Sequence, residues 1–300
     1  MLTSMYVPLS DRVGYVPGGT NIGVIRNDDS RVTLIDSGLN DTTARKVLRS
    51  VRDELGSDVV AILNTHGHAD HFGANAFVVK RTGCQVWAPE IESVTIQHPI
   101  LQPAMLFGGA DPMDALRNRF LLAEPSPVDG VLAVGKQHFM GTEMELVALP
   151  GHSANQIGVL VDGVFFCADV VFPQAAIDKY RIPYLFGLTT HLESLDTARR
   201  IVSTAVVPGH GPHDGSIEPL VELNRAGIEA TLNCLRAVLK EPKTSDDICT
   251  EVFTAMDVPV SDPQGYFLLK PTINAYLAHL DRIGEAKCEV ENRQALWRLR

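Results

Sequence analysis

Along the first two thirds of the chain, apolar positions recur with two alternating textures. Short β-rich runs give way to stretches with helical spacing, and then return. Thr20-Asn-Ile-Gly-Val-Ile25 and Val32-Thr-Leu-Ile35 read as strands on either side of a polar turn, Asn27-Asp-Asp-Ser30, and Asp36-Ser-Gly38 closes the second. From Asp41 the spacing of Ala44, Val47, Leu48 and Val51 predicts a helix that Gly56 stops. Val59-Val-Ala-Ile-Leu63 is a continuous apolar run, as expected of a buried strand. A helix over Ala74 to Arg81 and a strand at Gln85-Val-Trp-Ala88 follow. Strands resume at Glu145 to Leu149, Ile157 to Val161 and Val164 to Ala168. A helix from Leu192 to Val202 then precedes a strand at Ala205 to Pro208. Strands alternating with helices place the fold in the α/β class.

Between Pro99 and Pro127 the pattern lapses. Several prolines, Gly108-Gly109 and the cluster Met105, Leu106 and Phe107 predict an irregular insertion, either a lid or binding loop or a subunit contact. After Gly215 the texture becomes helical. Leu220, Leu223, Ile228, Leu232, Leu235 and Leu239 outline one long amphipathic helix from Pro219 to Lys240. Thr244-Ser-Asp-Asp247 resembles a capping box and opens a second helix to Met256. A third runs from about Phe267 to Ile283. Lys287 to Val290 and Ala295 to Leu299 flank a turn as a hairpin. The chain thus divides into a catalytic domain, 1–215, and a mainly helical, winged-helix-like domain, 216–300.

Composition narrows the partners. The 300 residues carry a formal net charge of −10 with no Lys/Arg run, which disfavours a nucleic-acid partner without removing a local basic patch. Five cysteines, an odd number with no C-x-x-C, argue against a disulfide framework or a thiolate zinc knuckle and for a reducing compartment. The first residues hold no apolar signal core, and no apolar stretch is long enough to span a bilayer. A cytoplasmic location and no membrane partner are expected. The leucine-rich helix after Pro219 suits packing or a homodimer.

The chemistry concentrates in Thr65-His66-Gly67-His68-Ala69-Asp70-His71, directly after the buried strand. A specific H-x-H-x-D-H string is expected by chance in on the order of one chain in a thousand of this composition. Neighbouring side chains on such a turn point different ways, so one ion cannot easily take all four and two ions can. His66 and His68 would face one, Asp70 and His71 the other. Further ligand types recur just beyond apolar strands: His152 after Pro150-Gly151, Asp169 after Ala168, and His210 between Gly209 and Gly211. Nitrogen and oxygen donors suit zinc first, and manganese or iron as well.

These motifs, in this order, resemble the metallo-β-lactamase superfamily over roughly Asn21 to Pro212. The resemblance implies a four-layer αββα sandwich with the site at one edge. It implies that His66, His68 and His152 hold one metal, that Asp70, His71 and His210 hold a second, and that Asp169 bridges both. Two divalent ions would share a hydroxide that attacks a carbonyl or phosphoryl centre, with Asp70 orienting it and taking its proton. Asp36, at a strand end, reads as a partner that fixes a ligand loop or as a simple turn residue. Cys167 is expected to be a buried structural thiol. His98, His138, His191, His213 and His279 are expected to be structural, and Tyr180 or Tyr184 to be an oxyanion donor at best.

Among the activities of such a fold, hydrolysis of a small ester, thioester or lactone fits the acidic charge and the apolar insertion. The tail does not resemble the glutathione-binding region of glyoxalase II. It does resemble the winged-helix-like tail of the β-lactamase-like protein 2 family, which has endoribonuclease members, so an endoribonuclease or phosphodiesterase is the alternative. In a binding protein that had lost the chemistry, ligands would be missing from the set, and here each position is filled.

Overall fold

The computed structural model describes residues 5–300. Among these, two sheets pack face to face with helices outside each. The first sheet has seven strands in sequential order: β1 (Val7–Pro8), β2 (Val13–Val16), β3 (Ile22–Arg26), β4 (Val32–Ile35), β5 (Val59–Leu63), β6 (Gln85–Ala88) and β7 (Gly130–Val131). It is antiparallel through β4 and parallel from β4 to β7. The second sheet runs β12-β11-β10-β9-β8, built from β8 (Gly135–Phe139), β9 (Thr142–Ala148), β10 (Ile157–Val161), β11 (Val164–Ala168) and β12 (Ala205–Pro208).

Side chains alternate across each strand, and the central strands of both sheets are buried on both faces. From the first sheet, Ile25, Ile35, Ala61 and Leu63 meet Leu146, Val159, Phe166 and Val207 of the second in the central layer. Their neighbours Val24, Leu34, Ile62 and Val86 face outward onto α1 (Asp41–Leu55), whose Ala44, Val47 and Val51 cover them. Asn40 caps α1 by accepting from the amides of Thr42 and Thr43, and Gly56 ends it at φ 59°. The helical turns α2 (Ala69–Phe72) and α3 (Asn75–Thr82) complete that side.

On the far side, Val147, Leu149, Phe165, Cys167 and Val206 of the second sheet share one apolar cluster with the C-terminal helices. Before them in the chain come α4 (Glu90–Gln97), α5 (Leu101–Leu106), a single 3₁₀ turn at Asp114–Leu116, α6 (Gln174–Tyr180) and α7 (Leu188–Arg199). The outer layer is then built by α7, α8 (Glu218–Val238), α9 (Ser245–Ala255) and α10 (Pro263–Arg282). The hairpin β13 (Ala286–Glu291) and β14 (Gln294–Leu299) packs on α9 and α10. Leu235, Ile273, Leu277 and Leu280 are fully buried in this cluster, so the apolar core is continuous past residue 215. No helix among the described residues is long and apolar enough to cross a membrane.

The αββα architecture and the helical C-terminal region match the expectation from sequence. Several elements differ in detail. The segment 99–127 is not wholly irregular, because α5 and the 3₁₀ turn lie within it. Pro103 sits in the first turn of α5, where a missing amide costs nothing. The long helix near residue 190 starts earlier, at Leu188, and ends at Arg199. The third C-terminal helix also starts earlier, because Asp262 caps it by accepting from the Gly265 amide at 2.8 Å. Strand β8 lies at a sheet edge, with Lys136 and His138 exposed, so it gives no apolar run to read.

This packing generates a stability prediction. Ile273 is fully buried among side chains of both the sheet and the helices. Ile273→Ala is expected to lower unfolding free energy by about 2–5 kcal/mol, measured by urea denaturation. Deleting 219–300 is expected to leave no cooperatively folding protein, since it would bare the outer face of the second sheet. A soluble, cooperatively melting 1–218 fragment would contradict this.

Candidate active site

The site forms where strands of both sheets end at one edge of the sandwich. Leu63 ends β5, and the chain turns through Asn64 and Thr65 into the histidine-rich motif. Asp70 and His71 ride on the short helix α2, while His66 and His68 precede it. His152 follows β9, Asp169 follows β11 directly, and His210 follows β12. All seven side chains predicted as ligands come together. Their donor atoms form three overlapping groups: His66, His68 and His152; His66, His71 and Asp169; and Asp70, His71 and His210. Within each group the atoms lie within 4.8 Å of one another.

Asp169 stands at the centre. One of its oxygens lies 3.4 Å from His152 Nε2 and 3.2 Å from His210 Nε2, and the other lies 3.4 Å from His71 Nε2. Asp70 Oδ2 closes the outer side, 3.3 Å from His210 Nε2 and 3.8 Å from His71 Nε2. His68 Nδ1 and His152 Nε2 converge to 2.8 Å. Two glycines make room. A Cβ on Gly209 would fall 1.9 Å from Asp169 Oδ1, and one on Gly151, at φ 129°, would fall 2.4 Å from the His191 backbone.

The ring nitrogen of each of four histidines that faces away from the cluster is tied to the frame. His71 Nδ1 donates to Asp36 at 2.8 Å, His152 Nδ1 to the Tyr184 carbonyl at 3.0 Å, and His210 Nδ1 to the Gly19 carbonyl at 2.5 Å. His66 Nδ1 pairs with Thr65 Oγ1 at 3.0 Å, and that hydroxyl in turn donates to Asp36. In the neutral tautomer this leaves the Nε2 lone pairs pointing at the cluster, the arrangement metal-binding imidazoles adopt. Nε2 of His66, Nε2 of His71 and Oδ1 of Asp169 are buried without a hydrogen-bond partner. Buried polar atoms are seldom left so. Several such atoms aimed at one point, all of them nitrogen or oxygen donors, fit divalent metal ions.

Electrostatics agree. Burial, reinforced by His68, lowers the pKa of His152 to about 3, and burial with the neighbouring imidazoles lowers that of His66. Burial acts to lower His71 as well, but Asp169, Asp70 and Asp36 outweigh it and push it up to about 10. Against the same burial, Asp169 and Asp70 raise His210 to about 12. For Asp169 and Asp70, burial raises the pKa, yet the flanking histidines hold both carboxyls below their usual range. The carboxylates thus demand positive charge between them, which protons or a metal ion can supply.

Sequence reasoning missed three supports. Glu92, in the first turn of α4 and 4% exposed, accepts from the Gly67 amide at 2.8 Å and from Ser153 Oγ and the Asn155 amide, each at 2.7 Å. It thereby clamps the histidine-rich turn to the His152 loop. Asn21 donates to the carbonyls of Pro208 and Gly211, bracketing His210. Asn224 on α8 accepts from and donates to the backbone of Phe172, just past Asp169. None carries a motif; each is a lone polar residue whose partners are distant in sequence.

The remaining candidates separate by position. Asp36 makes the hydrogen bonds expected of a loop-fixing residue. Cys167 packs into the outer apolar cluster, and burial raises its thiol pKa. Tyr184, not Tyr180, reaches the site: its ring lies 5.4 Å from that of His68 and 5.7 Å from that of His152. Burial, helped by Glu92, raises its phenol to about 12. Tyr180 is exposed beside Lys179. His213 bonds Tyr15 and His279 bonds Thr189. His191 is buried behind Gly151, while His98 and His138 are exposed, outside the cluster.

Comparison with known proteins agrees with this geometry. The family model described as metallo-beta-lactamase superfamily matches residues 15–210. Hydroxyacylglutathione hydrolase GloC of Haemophilus influenzae is 26% identical over 165 residues, covering 54% of this chain and 71% of that protein. A hydroxyacylglutathione hydrolase of Vibrio campbellii is 29% identical over 153 residues, covering 50% of this chain and 46% of that protein. The chain therefore spans less than half the length of some of its curated relatives. Among solved structures, a beta-lactamase domain protein from Burkholderia ambifaria aligns with TM-score 0.78 at 18% identity, covering 100% of this chain and 95% of its own. A metallo-beta-lactamase family protein from Thermus thermophilus aligns with TM-score 0.72 at 21% identity, covering 96% and 98%. Both alignments include the C-terminal helices, so the whole αββα body with its helical end is a shared fold. With the family model matching over 15–210 and every histidine and aspartate of the motif drawn to one strand edge, this chain belongs to the metallo-beta-lactamase superfamily and is a hydrolase.

Proposed function

We propose that the chain is a dinuclear, metal-dependent hydrolase of small esters, thioesters or lactones. The observation that carries this reading is Asp169, a single buried carboxylate within 3.4 Å of imidazoles on both of its sides. His66, His68 and His152 would hold one ion, Asp70, His71 and His210 the other, and Asp169 both, with zinc the first choice for this donor set. When bound, such ions supply a water activated at neutral pH and polarise the carbonyl under attack.

The chain's own residues define what happens around that chemistry. The Asp70 side chain is 37% exposed, whereas Asp169 and His71 are almost fully buried. Asp70 is thus the acid open to incoming water, and it is the residue we assign to orient that water and take its proton. Tyr184 stands edge-on to His68 and His152 and keeps its proton at neutral pH, so it can donate to a developing oxyanion. The insertion forms a wall behind it. Leu106, Leu116 and Leu121 are buried together, with Phe107, Tyr184, Phe267 and Leu268 against them. Phe107 packs on Phe267 of α10, ring centroids 5.0 Å apart. An apolar wall beside the metal ligands suits the uncharged acyl or ring portion of a small substrate. The names of the curated relatives, thioester hydrolases, support the same class. The charge of −10 supports a small substrate over RNA.

A screen of the metal-loaded protein against an acyl thioester, an aryl ester, a lactone and a phosphodiester tests the reading. Turnover of the carbonyl substrates is expected, and turnover of the phosphodiester alone would overturn it. On the best substrate, Asp70→Asn is expected to cut kcat by about 100-fold or more with the fold retained by circular dichroism. Tyr184→Phe is expected to lower kcat by about tenfold or more at unchanged metal content; an unchanged kcat would remove the phenol from the mechanism. Glu92→Ala would leave donors on both ligand turns unpaired. Metal affinity, read by competition with a chelator, is expected to fall by about 10–100-fold, and wild-type affinity would show that the clamp is dispensable.

A further inference from the structure

A second cleft, of about 410 Å³, lies between α1 and α3, away from the histidine cluster. Val59, at the start of β5, lines it, whereas the metal-ligand turn follows the other end of that strand. Its rim is cationic. Arg45, Arg49 and Arg52 follow one another at i, i+4 and i+7 and so share one face of α1. Arg81 faces them from α3, one turn after Phe77. The guanidinium carbons of Arg45 and Arg81 lie 4.5 and 5.3 Å from the centroid of the Phe77 ring, which holds both in place.

These charges are incompletely neutralised. Arg52 bonds Asp53 at 2.8 Å and Arg45 lies 3.7 Å from Asp41. Among the described residues, no carboxylate lies within ion-pair distance of Arg49 or Arg81, and Asp58 is the lone acid on the lining. Helix-end carbonyls account for cations in the last turns, Arg52 and Arg81. They do not account for Arg45 and Arg49 in the body of α1, where like charges at i, i+4 oppose the helix. In a protein of net charge −10, this concentration is local and not a reflection of composition.

Guanidinium groups in a fork recognise phosphate by paired hydrogen bonds. The volume falls in the range of small-molecule sites. Leu48, Val51 and Val59 add an apolar lining below the rim. We propose that this cleft binds a small organic phosphate of the nucleoside-diphosphate kind, with its phosphates between Arg49 and Arg81 and its apolar part against Leu48 and Val51. The site is separate from the hydrolytic centre and does not depend on which substrate that centre takes.

The test is calorimetric titration of the metal-loaded protein with ADP, pyrophosphate and adenosine at physiological salt, in the wild type and in Arg49→Ala/Arg81→Ala. Both side chains lie on the surface of their helices, so the double variant is expected to fold, to keep its metal and to retain wild-type turnover. ADP is expected to bind with one-site stoichiometry and to lose about tenfold or more in affinity in the variant, equivalent to about 1.4 kcal/mol. Pyrophosphate binding as tightly as ADP would assign recognition to the phosphates alone, and weaker binding would add the apolar lining; both support the site. Adenosine matching ADP would overturn phosphate recognition. Absence of ADP and pyrophosphate binding up to millimolar concentration would overturn the proposal. So would affinity unchanged in the variant, because the phosphate would then be bound elsewhere, the metal centre included.

Discussion

One buried carboxylate organises the active site. Asp169 is 3% exposed, yet its two oxygens face imidazoles from three different loops. A charge so placed is tolerated only if cations or strong donors surround it. Everything nearby serves that need. His71 and His210 are pulled toward the protonated state, Gly209 leaves space for the carboxylate, and the outward ring nitrogens are anchored so that the inward ones cannot turn away. The same arrangement that would be costly in an ordinary core fits divalent metal ions.

The fold supplies the rigidity this requires. Each loop that carries these histidines and aspartates leaves the end of a sheet strand, so the loops inherit positions set by sheet packing. Cross-loop hydrogen bonds then fix them to each other. Glu92 joins the histidine-rich turn to the His152 loop, Asp36 joins His71 to Thr65, and Asn21 joins β3 to the His210 loop. The C-terminal helices take part as well. Asn224 on α8 holds the backbone after Asp169, and Thr272 on α10 accepts from the Leu185 amide beside Tyr184. The outer helical layer therefore reaches the chemistry through two hydrogen-bonded contacts, besides closing the core.

The insertion shows how packing changes the meaning of a segment. Phe107 and Leu106, read along the chain, belong to a proline-broken stretch with no obvious partner. In the folded protein Leu106 is buried, and Phe107 meets Phe267 from the third C-terminal helix. A lid that swings freely would not be tied in this manner. The segment and the tail share one apolar cluster, against which Tyr184 also packs.

The sequence by itself determined the central strands of both sheets and the histidines and aspartates that converge at their edge. Runs such as Val59 to Leu63 and Val164 to Ala168 are apolar without interruption because both their faces are covered, and that pattern is visible before folding. The histidine-rich motif was legible because three imidazoles and a carboxylate rarely crowd into a few positions by chance, and His152, Asp169 and His210 because each follows an apolar strand. Only the tertiary structure revealed Glu92, Asn21 and Asn224, and only it chose Tyr184 over Tyr180. Their roles depend on groups far along the chain: Glu92 bonds residues 25 and 61 positions away, and Asn224 one 52 positions away. A single polar residue leaves no periodic trace, and its partner exists only once the sheets have brought the loops together.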